Sequence, residues 1–412
     1  MTAETPPAPE ARQALPRPLM LHLAAQALQL TSSLGALPLL RNGSLAWNPS
    51  LRRSLDALTT QVRTTKPEAF AEAVRVEACR RFDAFMDGIR RYQVALPAPR
   101  PPAPPVAWQS GSTRLLDYGA GNDATPVLVV PSLVNRGYVL DLTGERSLMR
   151  HLAGHGFRPL LVDWGTPGAA ERDFDLTQYV TGPLQGAFDF ALEAGGGRAA
   201  LIGYCMGGDL ALALAQRNPG EVRALALLAT PWDFQAGQDA TLPLLAVMAP
   251  GLEAVINHMG VLPTDVLQAM FMGLNPAGAG IKFRRFAQLE PDSEKAREFI
   301  ALEDWLNDGV PLAGPVAREC MFDWYLRNTP LNGQWHIAGE AVDPARIDAP
   351  TLVVVPRADY IVPPESAKPL AELIPGARLE VVDAGHIGMV TGSGAREKLY
   401  EPLAAWLIGQ LS

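Results

Sequence analysis

The residues best suited to chemistry lie in the stretch AALIGYCMGGDLALALA, residues 199–215. Its centre, GYCMG at 203–207, has the G-x-nucleophile-x-G spacing of a nucleophile elbow, with sulfur where that motif usually carries a hydroxyl. AALIGY predicts a strand, and MGGDLALALAQ predicts a helix that begins directly after the cysteine. The positive end of that helix favours a thiolate. The motif therefore predicts Cys205 as a nucleophile rather than a buried packing cysteine.

A thiolate nucleophile needs a base and an acid that orients the base, and in this type of sheet both follow the nucleophile along the chain. Asp359 directly follows the apolar run TLVVVPRA, and His386 follows LEVVDAG, so both are expected at the carboxyl ends of strands. Asp383 competes for the role of the acid, but it precedes the end of its own strand run. We therefore predict a triad of Cys205, His386 and Asp359. The other histidines are expected to be surface or packing residues: His22, His151, His155, His258 and His336.

Attack on a carbonyl creates an oxyanion, which backbone N–H groups can hold. The spacing predicts one donor at Met206, directly after the nucleophile, and a second at Val134, in the loop VPSLVNRGY after the first core strand. The alternative interpretation of that loop is a simple connection between a strand and a helix.

The elements that must position these residues alternate short apolar runs with helical stretches. Continuous runs of Val, Leu and Ile are typical of strands buried on both faces, so the pattern predicts a mostly parallel sheet covered by helices. Helices fit at 174–194 and 207–217. The predicted strands are PVLVVPS (126–132), RPLLVDW (158–164), AALIGYC (199–205), RALALLATPW (223–232), PTLVVVPRAD (350–359) and RLEVVDAGH (378–386).

The composition changes along the chain predict the domain organisation. Residues 1–17 form a disordered tail, and 18–94 form an N-terminal helical region. Clustered prolines make 95–108 an extended linker. Residues 109–412 form the catalytic domain, with a helical cap insertion at about 233–340, where no clear strand appears.

The apolar stretch after the tail is the one place where a leader or a membrane anchor could lie. His22, Gln26, Gln29 and Ser33 recur at helical spacing and interrupt it, so the sequence predicts no transmembrane span. We expect an amphipathic helix that either packs on the domain or lies on a lipid-like surface.

Charge and cysteine content exclude several function classes. The net charge of −8 and the lack of a basic run argue against a nucleic-acid partner. The three cysteines have no metal-site or disulfide spacing, which predicts a cytoplasmic protein without a bound metal. Cys79 and Cys320 are expected to be packing residues. No phosphate-binding glycine loop or nucleotide motif is present, so no bound cofactor is expected.

Five segments together resemble a known family. They are VLVVPSLVNRGYVLDLTGERSLMRHLAGHGFRPLLVDWGTP, LIGYCMGG, FDWYLRNTPLNG, PTLVVVPRADYIVPP and GHIGM. Over roughly residues 105–410 the chain resembles the polyhydroxyalkanoate synthases, which are cysteine-dependent polymerases of the α/β-hydrolase fold. The resemblance implies that Cys205 is acylated, that His386 activates Cys205 or the incoming hydroxyl, and that Asp359 is its partner. It implies a cap that gates access of a 3-hydroxyacyl-CoA, with CoA present only as part of the substrate.

This chemistry also explains the sulfur. A thiolate that attacks an acyl-CoA exchanges one thioester for another of similar energy, so the acyl group stays activated. Chain growth then requires that a substrate hydroxyl, and not water, attack the acyl-enzyme, so a covered site is expected.

The chain departs from the family in ways that bear on its partners. It is shorter than the long single-subunit synthases, and its segment 303–319 is similar to the short forms that depend on a second subunit. We therefore expect a second synthase subunit or a homodimer, and a location in the cytoplasm or on polyester granules. Ser132 and Leu133 stand where many relatives have a Pro-Cys pair. Two alternatives stay open: hydrolysis of thioesters or of the polyester by the same triad, and a non-catalytic granule-associated homologue.

Overall fold

The computed structural model describes residues 15–45, 58–62, 64–119 and 124–411. Contacts divide the chain into two units. Unit 1 is Met1–Ala98 with Asn275–Asn307, and unit 2 is Pro99–Leu274 with Asp308–Ser412.

The predicted domain boundaries stay predictions. The two units assign one segment of the chain differently from the predicted domains. Residues 275–307 belong to the predicted cap at about 233–340, yet they group with the N-terminal helices. The tail predicted at 1–17 lies outside the described residues except for its last three.

The main α-helices, in chain order, are α1 Leu19–Gly35, α2 Leu37–Asn42, α3 Pro67–Val94, α4 Leu148–Gly154, α5 Leu176–Tyr179, α6 Gln185–Ala194, α7 Met206–Arg217, α8 Thr241–Met259, α9 Thr264–Leu274, α10 Gly278–Phe286, α11 Glu294–Asn307, α12 Gly314–Arg318, α13 Pro364–Ala367, α14 Pro369–Leu373, α15 Gly388–Thr391 and α16 Glu401–Leu411. Wider π-helical turns occur at Val180–Leu184, Glu319–Leu326 and Arg396–Tyr400.

The strands of the described residues are β1 Val106–Ser110, β2 Thr113–Asp117, β3 Thr125–Val130, β4 Phe157–Asp163, β5 Ala199–Tyr204, β6 Val222–Leu228, β7 Val261–Leu262, β8 Leu312–Ala313, β9 His336–Ile337, β10 Glu340–Ala341, β11 Thr351–Pro356 and β12 Arg378–Val382.

The main sheet of unit 2 has the strand order β1-β2-β4-β3-β5-β6-β11-β12. The six strands from β4 to β12 in this order run parallel, and they are the six that the sequence predicts. Every residue of β5 and of β11 is buried, as expected for strands covered on both faces. The predicted parallel sheet covered by helices is therefore confirmed.

The edge of the sheet differs from the prediction. β1 and β2 form an antiparallel pair, and β1 begins at Val106, inside the stretch predicted as a linker at 95–108. Both strands mix polar and apolar residues, and β1 has no fully buried residue. Neither strand has the uninterrupted apolar run by which the six parallel strands are found in the sequence.

Unit 1 has its own apolar core between α3, α10 and α11. Phe85, Tyr92, Phe283 and Ile300 are buried there. Gly88 lets α3 approach α10 closely, because a Cβ at this position would lie 2.1 Å from the carbonyl oxygen of Phe283. This contact requires a glycine.

Helix α1 of unit 1 buries two of its polar side chains. His22 and Gln26, two members of the predicted polar stripe, are buried, and His22 Nε2 lies 3.1 Å from the Arg17 carbonyl oxygen. Met20 and Leu28 are exposed. The exposed face of α1 is therefore mixed, because Gln29 and Ser33, the other two members of the predicted stripe, are exposed together with Met20 and Leu28.

Helix α8 of unit 2 is, among the described residues, the one helix long and apolar enough to cross a membrane by length and composition. Its mean hydropathy is 1.3. Leu245, Leu252 and Ile256 are buried, whereas Leu244 and Val247 are exposed. The predicted absence of a transmembrane span stays a prediction.

Candidate active site

Cys205 occupies the sharp turn between β5 and α7. Its φ of 55° and ψ of −133° lie in a region that residues with a Cβ rarely adopt. The Cys205 N–H donates to the Leu228 carbonyl oxygen at 2.9 Å, and the Gly208 N–H donates to the Cys205 carbonyl oxygen at 2.8 Å. These bonds hold the cysteine at the end of β5, in the conformation of a nucleophile elbow.

The glycines around Cys205 are required by close backbone contacts. A Cβ at Gly203 would lie 2.3 Å from the Gly208 Cα, and one at Gly207 would lie 2.1 Å from the Val130 carbonyl oxygen. Real Cβ atoms do not approach other atoms so closely. The G-x-C-x-G pattern is therefore explained by the path of the chain: the turn packs against itself and against the end of β3.

His386 and Asp359 form a buried pair on the loops after β12 and β11. His386 Nδ1 lies 2.7 Å from Asp359 Oδ2. The other oxygen, Asp359 Oδ1, accepts hydrogen bonds from the N–H groups of Ile361 and Val362, each at 2.9 Å. His386 is 6% exposed and Asp359 5%. The carboxylate is thus fixed by three donors, and it fixes the imidazole in turn.

The surroundings of His386 favour its protonated form. Burial lowers the pKa of His386, but a negative charge on Cys205 and hydrogen bonds with Asp359 and Cys205 outweigh burial and raise this pKa to about 10. Tyr204 holds the loop that carries His386, since its hydroxyl donates to the His386 carbonyl oxygen at 3.2 Å. The structure therefore brings the three predicted triad residues together.

The two predicted oxyanion donors differ in whether their N–H group already has a hydrogen-bond acceptor. Met206 is the first residue of α7, and an N–H group in the first turn of a helix has no carbonyl partner within that helix. The Val134 N–H donates to Ser132 Oγ at 3.1 Å, so its hydrogen is engaged. The Val134 carbonyl oxygen accepts from the Val310 N–H at 3.4 Å.

Asp209 is a neighbour of the site that the sequence analysis did not single out. It lies on α7, four residues after Cys205, and is fully buried. Neither of its carboxyl oxygens has a hydrogen-bond partner among the side chains and backbone groups of the other described residues. Burial raises the pKa of Asp209 well above its usual range, and a negative charge on Cys205 raises it further. The sequence signal that could have identified Asp209 was an acidic residue four positions after the nucleophilic cysteine.

The raised pKa of Asp209 predicts how pH affects stability. In the folded protein Asp209 keeps its proton, whereas in the unfolded chain it releases that proton above about pH 4. The free energy of unfolding therefore falls progressively as the pH rises above about 4. Asp209→Asn removes the titration. The free energy of unfolding of the variant, relative to wild type, should therefore rise with pH above about pH 4, by up to about 1.4 kcal/mol per pH unit, until the pH reaches the raised pKa of Asp209. Urea unfolding at each pH measures this difference.

Asp383→Asn is the matched control for this experiment, because the Asp383 side chain is 80% exposed. Its stability difference should stay constant over the same pH range. A pH-independent difference for Asp209→Asn as well would show that Asp209 is ionised in the folded protein.

The π-helical turn Glu319–Leu326 provides three further groups. Burial raises the pKa of the Tyr325 phenol, and negative charges on Cys205, Cys320, Asp209 and Asp359 raise it further. Glu319 Oε1 accepts from the Leu176 N–H at 2.9 Å, and burial raises the pKa of Glu319 to about 7. Cys320 is buried and burial raises the pKa of its thiol, as expected of a packing residue.

The remaining candidates lie away from these contacts. Asp383, the competing acid, is close to Lys398 Nζ, at 3.9 Å. Cys79 is exposed, so the expectation that it packs is wrong. His151 and His155 contact each other at the end of α4, with ring centroids 4.4 Å apart and ring planes tilted by 39°. Within the described ranges, no group of three or more His, Cys, Asp or Glu side chains could hold a metal ion.

Comparison with known proteins identifies the class first. A family model described as alpha/beta hydrolase fold matches residues 125–393. This agrees with the sheet order, with the elbow at Cys205 and with the acid and histidine after β11 and β12. The chain is an α/β-hydrolase-fold protein, as predicted.

Three curated relatives carry the name poly(3-hydroxyalkanoate) polymerase subunit PhaC. The protein of Haloferax mediterranei is 30% identical over 73% of this chain and 63% of its own length. That of Allochromatium vinosum is 31% identical over 68% of this chain and 80% of its own length. That of a Synechocystis species is 30% identical over 68% of this chain and 77% of its own length. The chain belongs to this polymerase family, which confirms the predicted resemblance and agrees with the predicted enzyme class.

Proposed function

We propose that this protein is an acyltransferase that polymerises 3-hydroxyacyl-CoA into a polyester through a covalent thioester on Cys205. The observation that carries the proposal is the placement of Cys205 on a nucleophile elbow, within range of an imidazole that a buried carboxylate orients. The names of the relatives supply the polymer, a poly(3-hydroxyalkanoate), and the family resemblance supplies the acyl-CoA substrate.

The geometry assigns a role to each residue. Asp359 accepts from Nδ1 of His386, which leaves Nε2 for Cys205 or for an incoming hydroxyl. The Cys205 thiolate attacks the thioester carbonyl, a C–S bond to the enzyme forms, and CoA leaves as its thiolate, which takes the proton from His386. His386 then removes the proton of the attacking hydroxyl, and the thiolate is released as the new ester forms.

The burial of the site supports transfer to a hydroxyl over hydrolysis. His386 and Asp359 are almost fully buried, and Cys205 is only partly exposed. Water therefore has limited access to the acyl-enzyme. Hydrolysis of a thioester or of the polyester by the same triad is the second candidate, and it needs only that water reach Cys205.

The predicted partners and location belong to the same proposal. The outward face of α1 presents Met20 and Leu28, which supports contact with a polyester granule. A second subunit or a homodimer, a location in the cytoplasm or on granules, and the lack of a bound cofactor complete the proposal. CoA is present only as part of the substrate.

The proposal is tested by incubating the purified full chain with (R)-3-hydroxybutyryl-CoA. CoA release is followed with a thiol reagent, and the acyl product of the same sample is sized. High-mass polyester with CoA release is the expected result. Release with free 3-hydroxybutyrate alone would make the protein a thioesterase. If no CoA is released, the assay is repeated with a PhaC partner subunit added, and failure there would overturn the proposal.

A further inference from the structure

Helix α1 docks in unit 1 through a face that carries no charged side chain. The helix has no Asp, Glu, Lys or Arg between Leu19 and Gly35. Leu19 and Leu23 pack against the apolar core of unit 1. His22 and Gln26, which are one helical turn apart, are buried on the same side of the helix. Two polar side chains are therefore buried together where α1 meets the rest of unit 1.

The contacts of His22 fix which of its ring nitrogens carries the proton. Nε2 lies 3.1 Å from the Arg17 carbonyl oxygen, and because a carbonyl oxygen only accepts, Nε2 is the donor. In the neutral ring Nδ1 then carries the lone pair. Nδ1 is buried, and it has no hydrogen-bond partner among the described residues. Protonation of His22 turns Nδ1 into a second donor, which has no acceptor in the docked helix.

Gln26 also leaves the contact incompletely satisfied. Its Oε1 accepts from Arg284 Nη1 at 3.4 Å, which is a long hydrogen bond. Its Nε2 is buried, and no acceptor for it exists in the part of the chain that the structure describes. Gly280 makes room for this amide, since a Cβ there would lie 2.1 Å from Gln26 Oε1. Unsatisfied buried polar atoms oppose burial, so the docking of α1 has little reserve against a further unfavourable group.

Charged side chains project from the helices that pack around α1. They are Arg41 on α2, Glu77, Arg80 and Arg81 on α3, Lys282 and Arg284 on α10, and Glu303 on α11. Both carboxylates of this set are paired, Glu303 with Lys282 at 2.6 Å and Glu77 with the two arginines of α3 at 2.7 and 2.8 Å. A protonated His22 therefore gains no carboxylate partner from this set.

The balance of these surroundings favours neutral His22. Burial lowers the pKa of His22, the hydrogen bond with the Arg17 backbone raises it, and the positive charge of Lys282 lowers it further, with a net decrease. In a released helix the same imidazole is in water and has its ordinary pKa of about 6.5. Protons therefore bind more strongly to the released helix than to the docked one.

We propose that the docking of α1 in unit 1 is a pH-sensitive contact, which opens when His22 takes up a proton. The contact is fully favourable above about pH 6.5. As the pH falls below that value, the docking equilibrium shifts toward release by up to about tenfold per pH unit. Release uncovers Leu19 and Leu23 in addition to the exposed Met20 and Leu28, so acid converts α1 into a helix with a wider apolar surface. This switch is independent of the proposed acyl transfer.

The test is hydrogen–deuterium exchange of the full chain between pH 5 and 8, read by mass spectrometry and corrected for the intrinsic pH dependence of exchange. Protection of peptides from residues 19–35 should fall by up to about tenfold per pH unit below about pH 6.5. Peptides from the centre of α3 should keep their protection. In His22→Gln, which stays neutral and can still donate to the Arg17 carbonyl oxygen, the protection of α1 should not depend on pH.

His336→Gln is the matched control. His336 also has a ring nitrogen, Nδ1, 2.9 Å from a backbone carbonyl oxygen, that of Gln334, but its side chain is exposed. This variant should show the same fall in α1 protection as wild type. Protection of α1 that is independent of pH in wild type, or that falls equally in His22→Gln, would overturn the proposal.

If α1 is unprotected at every pH in His22→Gln, the ring of His22 in wild type decides the question. NMR of the protein with ¹³C-labelled histidine follows the titration of each ring, and the signal that is missing in His22→Gln belongs to His22. A pKa of His22 below 6.5 supports the switch, and a pKa at or above 6.5 overturns it.

Discussion

Cys205→Ala should reduce thioester turnover to background, a loss of roughly 10⁶-fold in kcat, which is what removal of a covalent nucleophile costs an enzyme of this kind. The Ala side chain can neither form the thioester nor carry a negative charge opposite His386. The measurement is CoA release under saturating substrate. Trapping with radiolabelled acyl-CoA should label wild type on Cys205 and leave the variant unlabelled.

Two variants separate loss of the nucleophile from a general effect on thiols or on folding. Cys320→Ala removes a buried thiol of the same unit and should retain turnover, although it creates a small cavity. Cys79→Ala removes an exposed thiol and should change nothing. Substantial turnover in Cys205→Ala, with a thermal unfolding midpoint like that of wild type, would overturn the covalent mechanism.

Asp359→Asn should reduce kcat by about 10⁴-fold, the effect of the corresponding acid-to-amide change in a Ser-His-Asp triad. Asn is nearly the same size, but it can present an N–H group to His386, which turns the imidazole into the wrong tautomer for accepting a proton from Cys205. The variant should also lose the contribution of the carboxylate to the high pKa of His386. The measurement is kcat against pH for wild type and variant.

Asp383→Asn is again the control, now for the choice between the two candidate acids. Asp383 is exposed and adjoins Lys398, so its loss should leave kcat within about twofold. If Asp383→Asn is the inactive variant and Asp359→Asn is active, the acid of the triad is Asp383, and the geometry of the folded chain has to change before catalysis.

The sequence predicted the centre of the sheet and the triad because both have strong local signals. β5 and β11 are uninterrupted apolar runs, and the reactive residues follow such runs directly, so topology alone brings Cys205, Asp359 and His386 to one edge. β1 and β2 were missed because both mix polar with apolar residues and offer no comparable run.

The sequence analysis missed Asp209 and Tyr325 because their positions in the fold depend on tertiary contacts, which hydrophobic periodicity does not encode. Asp209 stands in a helix that any helical pattern predicts, but its burial depends on what covers α7. Tyr325 comes from a segment more than a hundred residues away from Cys205 in the chain. For α1 the spacing of the polar residues identified a stripe, and only the packing within unit 1 showed that His22 and Gln26 are buried while Gln29 and Ser33 are exposed.

Because the Val134 N–H donates to Ser132 Oγ, one of the two predicted oxyanion donors is already hydrogen-bonded in this structure. If Val134 is an oxyanion donor, as the sequence predicts, the Ser132 hydroxyl has to leave its N–H before a developing negative charge can bind there. A neutral hydrogen bond of about 1 kcal/mol is then exchanged for a stronger bond to an anion. The predicted second donor is therefore available to an oxyanion only in a conformation that differs from this one at Ser132.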